Sequence, residues 1–458
     1  IRLPELHSRE NWKRQLTKQE NPFGMSFTIN KGKKISGRKI NDRKRMINAR
    51  LKGQLHRGGH IMEYKFSEKV QTLKPSAIRE LFKLMVGDGI VALSGGNPAK
   101  EAFPEKEIAE ITQKILTENP IAALQYSISE GYTPLREQIA EYVKTNFNIG
   151  TEEDAVLITS GAQQANDMAV KIFCDEGDAI ACDETIFIGS LSAIKANNVK
   201  LVGVKGDDSG MLPEQLEEAI ATNPIKAVYL IPNFSNPTGL TMPLERRKAI
   251  YEVCKKHDII IIEDNPYGEL RFRGEHVPAF KSFDDAGIVC YSGSFSKVVA
   301  PGLRVGFMIA NKKIIERGTL LKQFTDVHTN ILAQMIVYEY YKNYDIKKHI
   351  AEVSAFYAKK SEYMCKLIRE KLPKEIKCIE PDGGMFVWCT DTSGKIDIDE
   401  LVQKLVSEKK VAIISGDVFI TNNSKSHSFR LNFTVPSREQ IEYGITSIGE
   451  VLNGLYAK

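Results

Sequence analysis

The stretch Ile259-Ile-Ile-Ile-Glu263-Asp264-Asn-Pro-Tyr267 sets the terms for the whole chain. Its apolar part is short, β-branched throughout and bounded by Asp258 and Glu263, so it reads as a strand buried on both faces. It is also the densest apolar run in the sequence, far short of the ~18 residues a membrane-spanning helix needs. In open parallel sheets, ligands gather outside the carboxyl ends of the strands, which is where Asp264 falls. A carboxylate there can pair with a ring nitrogen and keep it protonated, turning the ring into an electron sink. Tyr267, three residues on, is within reach of a hydroxyl on the same ring.

Working outward, the chain alternates strands and helices from Met62 onward. Ala155–Thr159 is followed by Gly161 and a helix with Ala165, Met168, Ala169 and Ile172 at i, i+3, i+4 and i+7. Asp178–Cys182, Lys226–Ile231 and Ile288–Ser292 are further strands, spaced to leave room for helices. The class is α/β, a mostly parallel sheet covered on both faces. Past about residue 330 a long helical stretch leads to strands at Gly384–Cys389, Val411–Ile414 and Phe429–Phe433, which predicts a smaller α+β domain. The expected division is 62–110 for an N-terminal segment joining the small domain, 111–330 for the large domain and 331–458 for the small one.

The chemistry concentrates in Ser294-Phe-Ser296-Lys297-Val-Val-Ala-Pro-Gly302-Leu-Arg304-Val-Gly306. A lysine flanked by two hydroxyls and followed seven residues later by an arginine suits a phosphate-bearing aldehyde. The amine condenses with the carbonyl, while Ser294, Ser296 and Arg304 offer donors to the phosphate. Pro232-Asn-Phe-Ser-Asn236-Pro-Thr-Gly239 follows a strand and presents an amide suited to the same ring oxygen. Thr159-Ser-Gly161-Ala162-Gln163-Gln164 lies between strand and helix, where backbone amides bind phosphate. Neither GxGxxG nor GxxxxGK[ST] occurs, which argues against dinucleotide and P-loop binding. Arg430, in Ser428-Phe-Arg430-Leu-Asn-Phe433, is the residue type that grips a carboxylate through paired hydrogen bonds. Each motif alone is an ordinary loop or strand; their joint occurrence in this order is not.

Composition narrows the class. The 458 residues are 42% hydrophobic and 8% aromatic, which excludes a wholly disordered chain. Residues 1–61 hold 16 Lys/Arg against 4 Asp/Glu, a net of +12, and the remaining 47 basic and 54 acidic residues carry −7. The body is therefore mildly acidic and gives no general nucleic-acid surface. The basic stretch 1–61 reads as a disordered extension or non-native leader, with a targeting peptide and a nucleic-acid arm as rivals. Seven cysteines without a CxxC pair read as reduced thiols in the cytoplasm, and no metal site is expected.

Taken together, SGAQQ, NPTG, DNPYGEL, SFSK, PGLRVG, GGMFVW and FRLNF resemble the fold-type I, class I/II aminotransferases that use pyridoxal 5'-phosphate, over nearly all of residues 65–455. Lys74-Pro-Ser-Ala-Ile-Arg79, Leu93-Ser-Gly-Gly96-Asn-Pro98 and Leu124-Gln-Tyr126 look most like the 2-aminoadipate/kynurenine aminotransferase subgroup. The resemblance implies a seven-stranded-type sheet between helices and a homodimer acting on an amino acid and a 2-oxo acid. It implies Lys297 as the Schiff-base lysine, Asp264 on the pyridinium, and Asn236 and Tyr267 on the ring oxygen. Ala162, Gln163, Ser294, Ser296 and Arg304 would hold the phosphate, and Tyr126 would reach the cofactor of the partner subunit. Arg430 would bind the substrate carboxylate, with Gly96 lining the pocket, Asn236 beside it and Arg79 contacting the substrate side chain.

Two positions depart from the family pattern. Phe187 stands where relatives usually carry a stacked tyrosine, keeping an aromatic face without the hydroxyl. Ala162 replaces a serine or threonine of the phosphate loop, removing a side-chain donor but not the backbone amide. Two other functions share these motifs: β-elimination from a cysteine conjugate, and a ligand-sensing regulator with an aminotransferase-like domain. The regulator is disfavoured because residues 1–61 lack the two amphipathic helices of a helix-turn-helix.

Overall fold

The computed structural model describes residues 64–71, 89–422 and 424–457. By its contacts the chain divides after Lys65, and the fold is that of the second unit, Phe66–Lys458. Residues 1–61 and Arg79 lie outside the described residues.

A seven-stranded sheet organises the larger part. Its strands are β1 (Asp154–Thr159), β2 (Ala179–Asp183), β3 (Lys200–Val204), β4 (Ile225–Leu230), β5 (Ile260–Asp264), β6 (Val289–Ser294) and β7 (Gly306–Asn311). The spatial order is β1-β7-β6-β5-β4-β2-β3. All neighbours run parallel except at β7, which is antiparallel to both β1 and β6. The apolar runs expected as strands are strands, with ends shifted by a residue or two. Two were not singled out. β3, Lys-Leu-Val-Gly-Val, is a partly exposed edge strand with a charge and a glycine, and β7 begins inside the Arg304-Val-Gly306 motif that reads locally as loop.

Strand alternation divides the core in two. Ile180, Cys182, Ala227, Tyr229, Ile262 and Cys290 belong to one apolar cluster; Ala179, Ala181, Val228, Leu230, Ile261 and Val289 belong to another. Successive side chains point to opposite faces, and both faces are covered, which is why these strands read as unbroken apolar runs. Helix α1 (Ala162–Phe173) packs on the first face with Ala165, Met168 and Ala169, joined there by Ile194 of α2 (Ile188–Ala196); α3 (Leu244–Lys256) covers the other face with Ile250, Tyr251 and Cys254.

Helix α4 (Ile346–Lys371) leads into a four-stranded antiparallel sheet and packs against α5 (Arg438–Tyr456). That sheet comprises β8 (Ile376–Ile379), β9 (Phe386–Asp391), β10 (Ile414–Ser415) and β11 (Ser428–Asn432), in the order β8-β9-β11-β10. Before it in the chain, Val91–Ala92 pairs in parallel with Val411–Ala412. The segment carrying Gly96 is thereby tied to the C-terminal sheet. Among the described residues, no helix is long and apolar enough to cross a membrane.

Candidate active site

The register of the central sheet assembles the site. Gly306, first residue of β7, pairs with Thr159 on one side and Ser294 on the other. The segments following β1 and β6 therefore meet above the same edge. A side chain at Gly306 would lie 2.7 Å from the Gly161 carbonyl carbon and 2.8 Å from the Ala162 nitrogen, so only glycine lets β7 pass beneath the start of α1. Gly161 itself, with φ 84°, turns the chain from strand into helix. The first amides of α1, which have no partners within the helix, face this junction with a positive dipole end.

Arg304 closes the anion pocket. Its backbone is left-handed, φ 54°, a conformation costing a non-glycine residue about 1–2 kcal/mol. From there the guanidinium donates to Ser160 O at 3.0 Å and to Ser296 Oγ at 3.4 Å. Ser294 Oγ accepts from Ser296 N at 3.2 Å. Helix amides, two hydroxyls and a guanidinium thus converge as expected. The Gln163 side chain points elsewhere, donating to Gly189 O at 3.1 Å at the start of α2, so what it offers an anion is its backbone amide.

Asp264 ends β5 among buried neighbours. Tyr229 OH donates to its Oδ2 at 2.6 Å, and Ser190 Oγ of α2 donates to the Tyr229 oxygen at 2.6 Å. Oδ1 is buried with no partner. Burial pushes this carboxyl up to about 6, opposed by the Tyr229 hydroxyl and then by the nearby Asn166 amide, which makes no hydrogen bond of good geometry to it. A cationic ring N–H at Oδ1 would reverse that shift. Tyr229, Ser190 and Asn166 escaped the sequence reading. The available signal was a tyrosine inside the aliphatic strand Lys-Ala-Val-Tyr-Leu-Ile.

Across the cleft, Lys297 Nζ donates to Gly96 O at 2.9 Å. Burial, then the charges of Arg304 and Arg430, lower its pKa to about 8. Asn236 Nδ2 donates to Tyr267 OH at 3.3 Å, so the two residues expected on one ring oxygen do stand together. The loop that follows β4 contains a cis Asn236–Pro237 bond. Arg430 is fully buried and donates to Asn236 Oδ1 at 2.7 Å and Ser94 O at 2.8 Å, while its Nε has no partner. Phe386 underlies it, with its ring 4.1 Å from the guanidinium carbon and 6.0 Å from the Tyr267 ring. Phe187 is half-buried at the entrance to α2. Tyr126 is not part of this cluster: it is 81% exposed, edge-on to the His328 ring at 5.9 Å.

The depressed lysine has a measurable consequence in cofactor-free protein. The unfolded chain holds the Lys297 proton up to about 10.5, the folded one only to about 8, so between these values the unfolded state binds more protons. Stability therefore rises with pH across that window, by at most ~3 kcal/mol for a half-buried amine. Urea midpoints at pH 7.5 and 10 should diverge more for the wild type than for Lys297→Met. Equal divergence would rule out the depressed amine.

An amine lowered to about 8, an unpaired buried carboxylate oxygen, free amides at a helix start beside a guanidinium, and a buried arginine with a spare donor fit one kind of ligand. That ligand carries an aldehyde, a phosphate and a basic ring nitrogen, and brings a carboxylate-bearing substrate beside it. Among the described residues, no cluster of histidine, cysteine or carboxylate side chains could hold a metal.

A family model for aminotransferase class I and II matches residues 88–448. An aromatic-amino-acid aminotransferase of Thermococcus litoralis is 38% identical, covering 89% of this chain and 98% of its own. Two solved structures superpose closely. A kynurenine aminotransferase of Pyrococcus horikoshii, in complex with PMP, gives a TM-score of 0.82 at 34% identity, covering 85% of this chain and 97% of that one. An α-aminoadipate aminotransferase of Thermus thermophilus, complexed with N-(5'-phosphopyridoxyl)-L-leucine, gives 0.78 at 34% identity, covering 86% and 98%.

Proposed function

Because the chain belongs to the class I and II aminotransferases, enzymes dependent on pyridoxal phosphate, we propose that the centre around Lys297 and Asp264 moves the amino group of an L-amino acid to a 2-oxo acid. The donor class is broad, 2-aminoadipate-like, aromatic or branched, with 2-oxoglutarate as the acceptor. The observation that carries the reading is the buried, unpaired Oδ1 of Asp264 in the same edge of the sheet as the depressed amine of Lys297.

When bound, pyridoxal phosphate supplies an aldehyde that takes up an amine and a ring that accepts the electron pair freed at the substrate α-carbon. This chain's residues do the rest. Ser294, Ser296, Arg304 and the amides of Ala162 and Gln163 hold the phosphate, and Asp264 Oδ1 holds the proton on the ring nitrogen. Asn236 and Tyr267 donate to the ring oxygen, and Phe187 lies along a ring face. Arg430 orients the substrate by its carboxylate, against the wall formed by Gly96. With the cofactor and substrate bound, Lys297 Nζ, neutral in a useful fraction near pH 8, would be the base that moves the substrate α-proton.

The working unit in this reading is a homodimer. Ile121, Leu124, Tyr126, Ile128 and Phe324 are exposed large apolar side chains, and Phe324 is 90% exposed. An apolar set of that size on a soluble enzyme fits an interface, with Tyr126 reaching the partner's site. All seven cysteines are free thiols, which supports a reducing, cytoplasmic setting.

A donor panel with 2-oxoglutarate tests the function. The expected products are glutamate and the donor's 2-oxo acid in equal amounts, with 2-aminoadipate, aromatic and branched donors all turned over. Pyruvate and ammonia from a cysteine conjugate, without a new amino acid, would overturn transfer in favour of elimination.

A further inference from the structure

We infer that Tyr229 is a positioning residue for the reaction: its hydroxyl pins one oxygen of Asp264 so that the other faces the cofactor's ring nitrogen. The inference rests on the reading of Asp264 given above and extends it to a side chain that no sequence motif marks.

The placement follows from register. Tyr229 on β4 is the Cα partner of Ile262 on β5, so both point to the same face. Asp264 lies two residues beyond Ile262 and therefore on that face too. Asp264 is offset from Tyr229 by two residues along the next, parallel strand, a diagonal span that the long phenol crosses and a leucine or valine side chain does not. The phenol reaches Oδ2 at 2.6 Å and takes a second bond of 2.6 Å from Ser190. Tyr229 and Ser190 are 2% and 1% exposed, so water does not compete for either bond.

The chain of donors has a direction. Ser190 donates to Tyr229, which polarises the phenol, and Tyr229 donates to the carboxylate. Two consequences follow for Asp264. Its rotation is fixed, because Oδ2 is occupied and Oδ1 is the one oxygen left without a partner. Its ionised form is favoured against the burial that opposes it. The titratable groups acting on it from neighbouring elements are the phenols of Tyr229, Tyr267 and Tyr291, none of them a cation. Tyr229 is accordingly the strongest hydrogen-bonding support of the charge that the ring nitrogen must meet. Tyr229→Phe removes one oxygen atom, keeps the ring that fills the core, and leaves Oδ2 unbonded and Asp264 easier to protonate.

The test uses holoenzyme loaded with pyridoxal phosphate and follows its visible absorbance against pH, alongside single-turnover rates. A positive ring nitrogen discourages protonation of the nearby nitrogen that joins the cofactor to Lys297. With Asp264 weakened, the ring charge fades and the absorbance midpoint moves up, by about one pH unit for Tyr229→Phe and in the same direction but less for Ser190→Ala. The rate of α-proton transfer should fall roughly 10–100-fold in Tyr229→Phe with KM altered less than threefold, since no substrate contact is removed. A role limited to core packing would lower the melting temperature and leave the midpoint alone. Wild-type midpoint and rate in both variants would overturn the inference, and Ser190→Ala alone decides it should Tyr229→Phe not fold. A wild type that binds the cofactor without any absorbance change would instead sink the reading of Lys297 and Asp264 themselves.

Discussion

Lys297→Ala is expected to lose at least ~10⁴-fold in kcat and to leave the protein unable to hold pyridoxal phosphate in its yellow, covalent form. Two functions vanish with one side chain. The amine supplies the covalent link, so its loss removes the visible band even at saturating cofactor. It also carries the α-proton, and no other described base is placed to replace it: Asp264 is committed to Tyr229 on one oxygen, and Tyr267 is pushed up to about 12 by burial. Its pKa of about 8 matters here, because an ordinary lysine would be almost wholly protonated at neutral pH. Absorbance and stopped-flow measurements on the purified variant check both effects. A retained band, or a kcat within tenfold of wild type, would remove Lys297 from its assigned place.

Asp264→Asn should cost roughly 10²–10³-fold in kcat while leaving the fold intact. The substitution keeps the shape and an oxygen able to accept from Tyr229, so the melting temperature should move little. What disappears is the negative charge opposite the ring nitrogen. That charge is maintained against burial, and without it the ring loses its proton and with it the capacity to draw electrons from the α-carbon. Cofactor affinity should fall as well, since the carboxylate–pyridinium contact is a charge-assisted bond in a dry site. Equilibrium binding of pyridoxal phosphate and half-reaction rates separate the two losses. Unchanged α-proton transfer in a variant that still binds the cofactor would contradict the pairing.

The sequence was most informative where a residue type is needed for chemistry. Asp264, Lys297, Asn236, Tyr267, Arg304 and Arg430 stood out because charge, turn and strand-end position coincide, and the structure gathers them around one sheet edge. Residues that act by holding others were silent. Tyr229 and Ser190 look like core fillers because their roles depend on register across strands and on a helix 39 positions away, distances that local pattern does not encode. Phe386, in Gly383-Gly-Met-Phe386, reads in sequence as a strand aromatic, and only the fold sets its ring beneath Arg430. β3 was missed because an edge strand with a glycine and a lysine lacks the doubly buried signature of its neighbours.

The short pairing of Val91–Ala92 with Val411–Ala412 has a reach beyond its two residues. Backbone bonds from Leu93 N to Ala412 O and from Asn432 N to Leu93 O, with Thr434 Oγ1 to Asn97 O, weld the stretch around Gly96 to the strand bearing Arg430. Gly96 and Arg430 consequently sit on one connected stretch of backbone. A shift of the stretch around Gly96 is thereby coupled, through those bonds, to the position of Arg430.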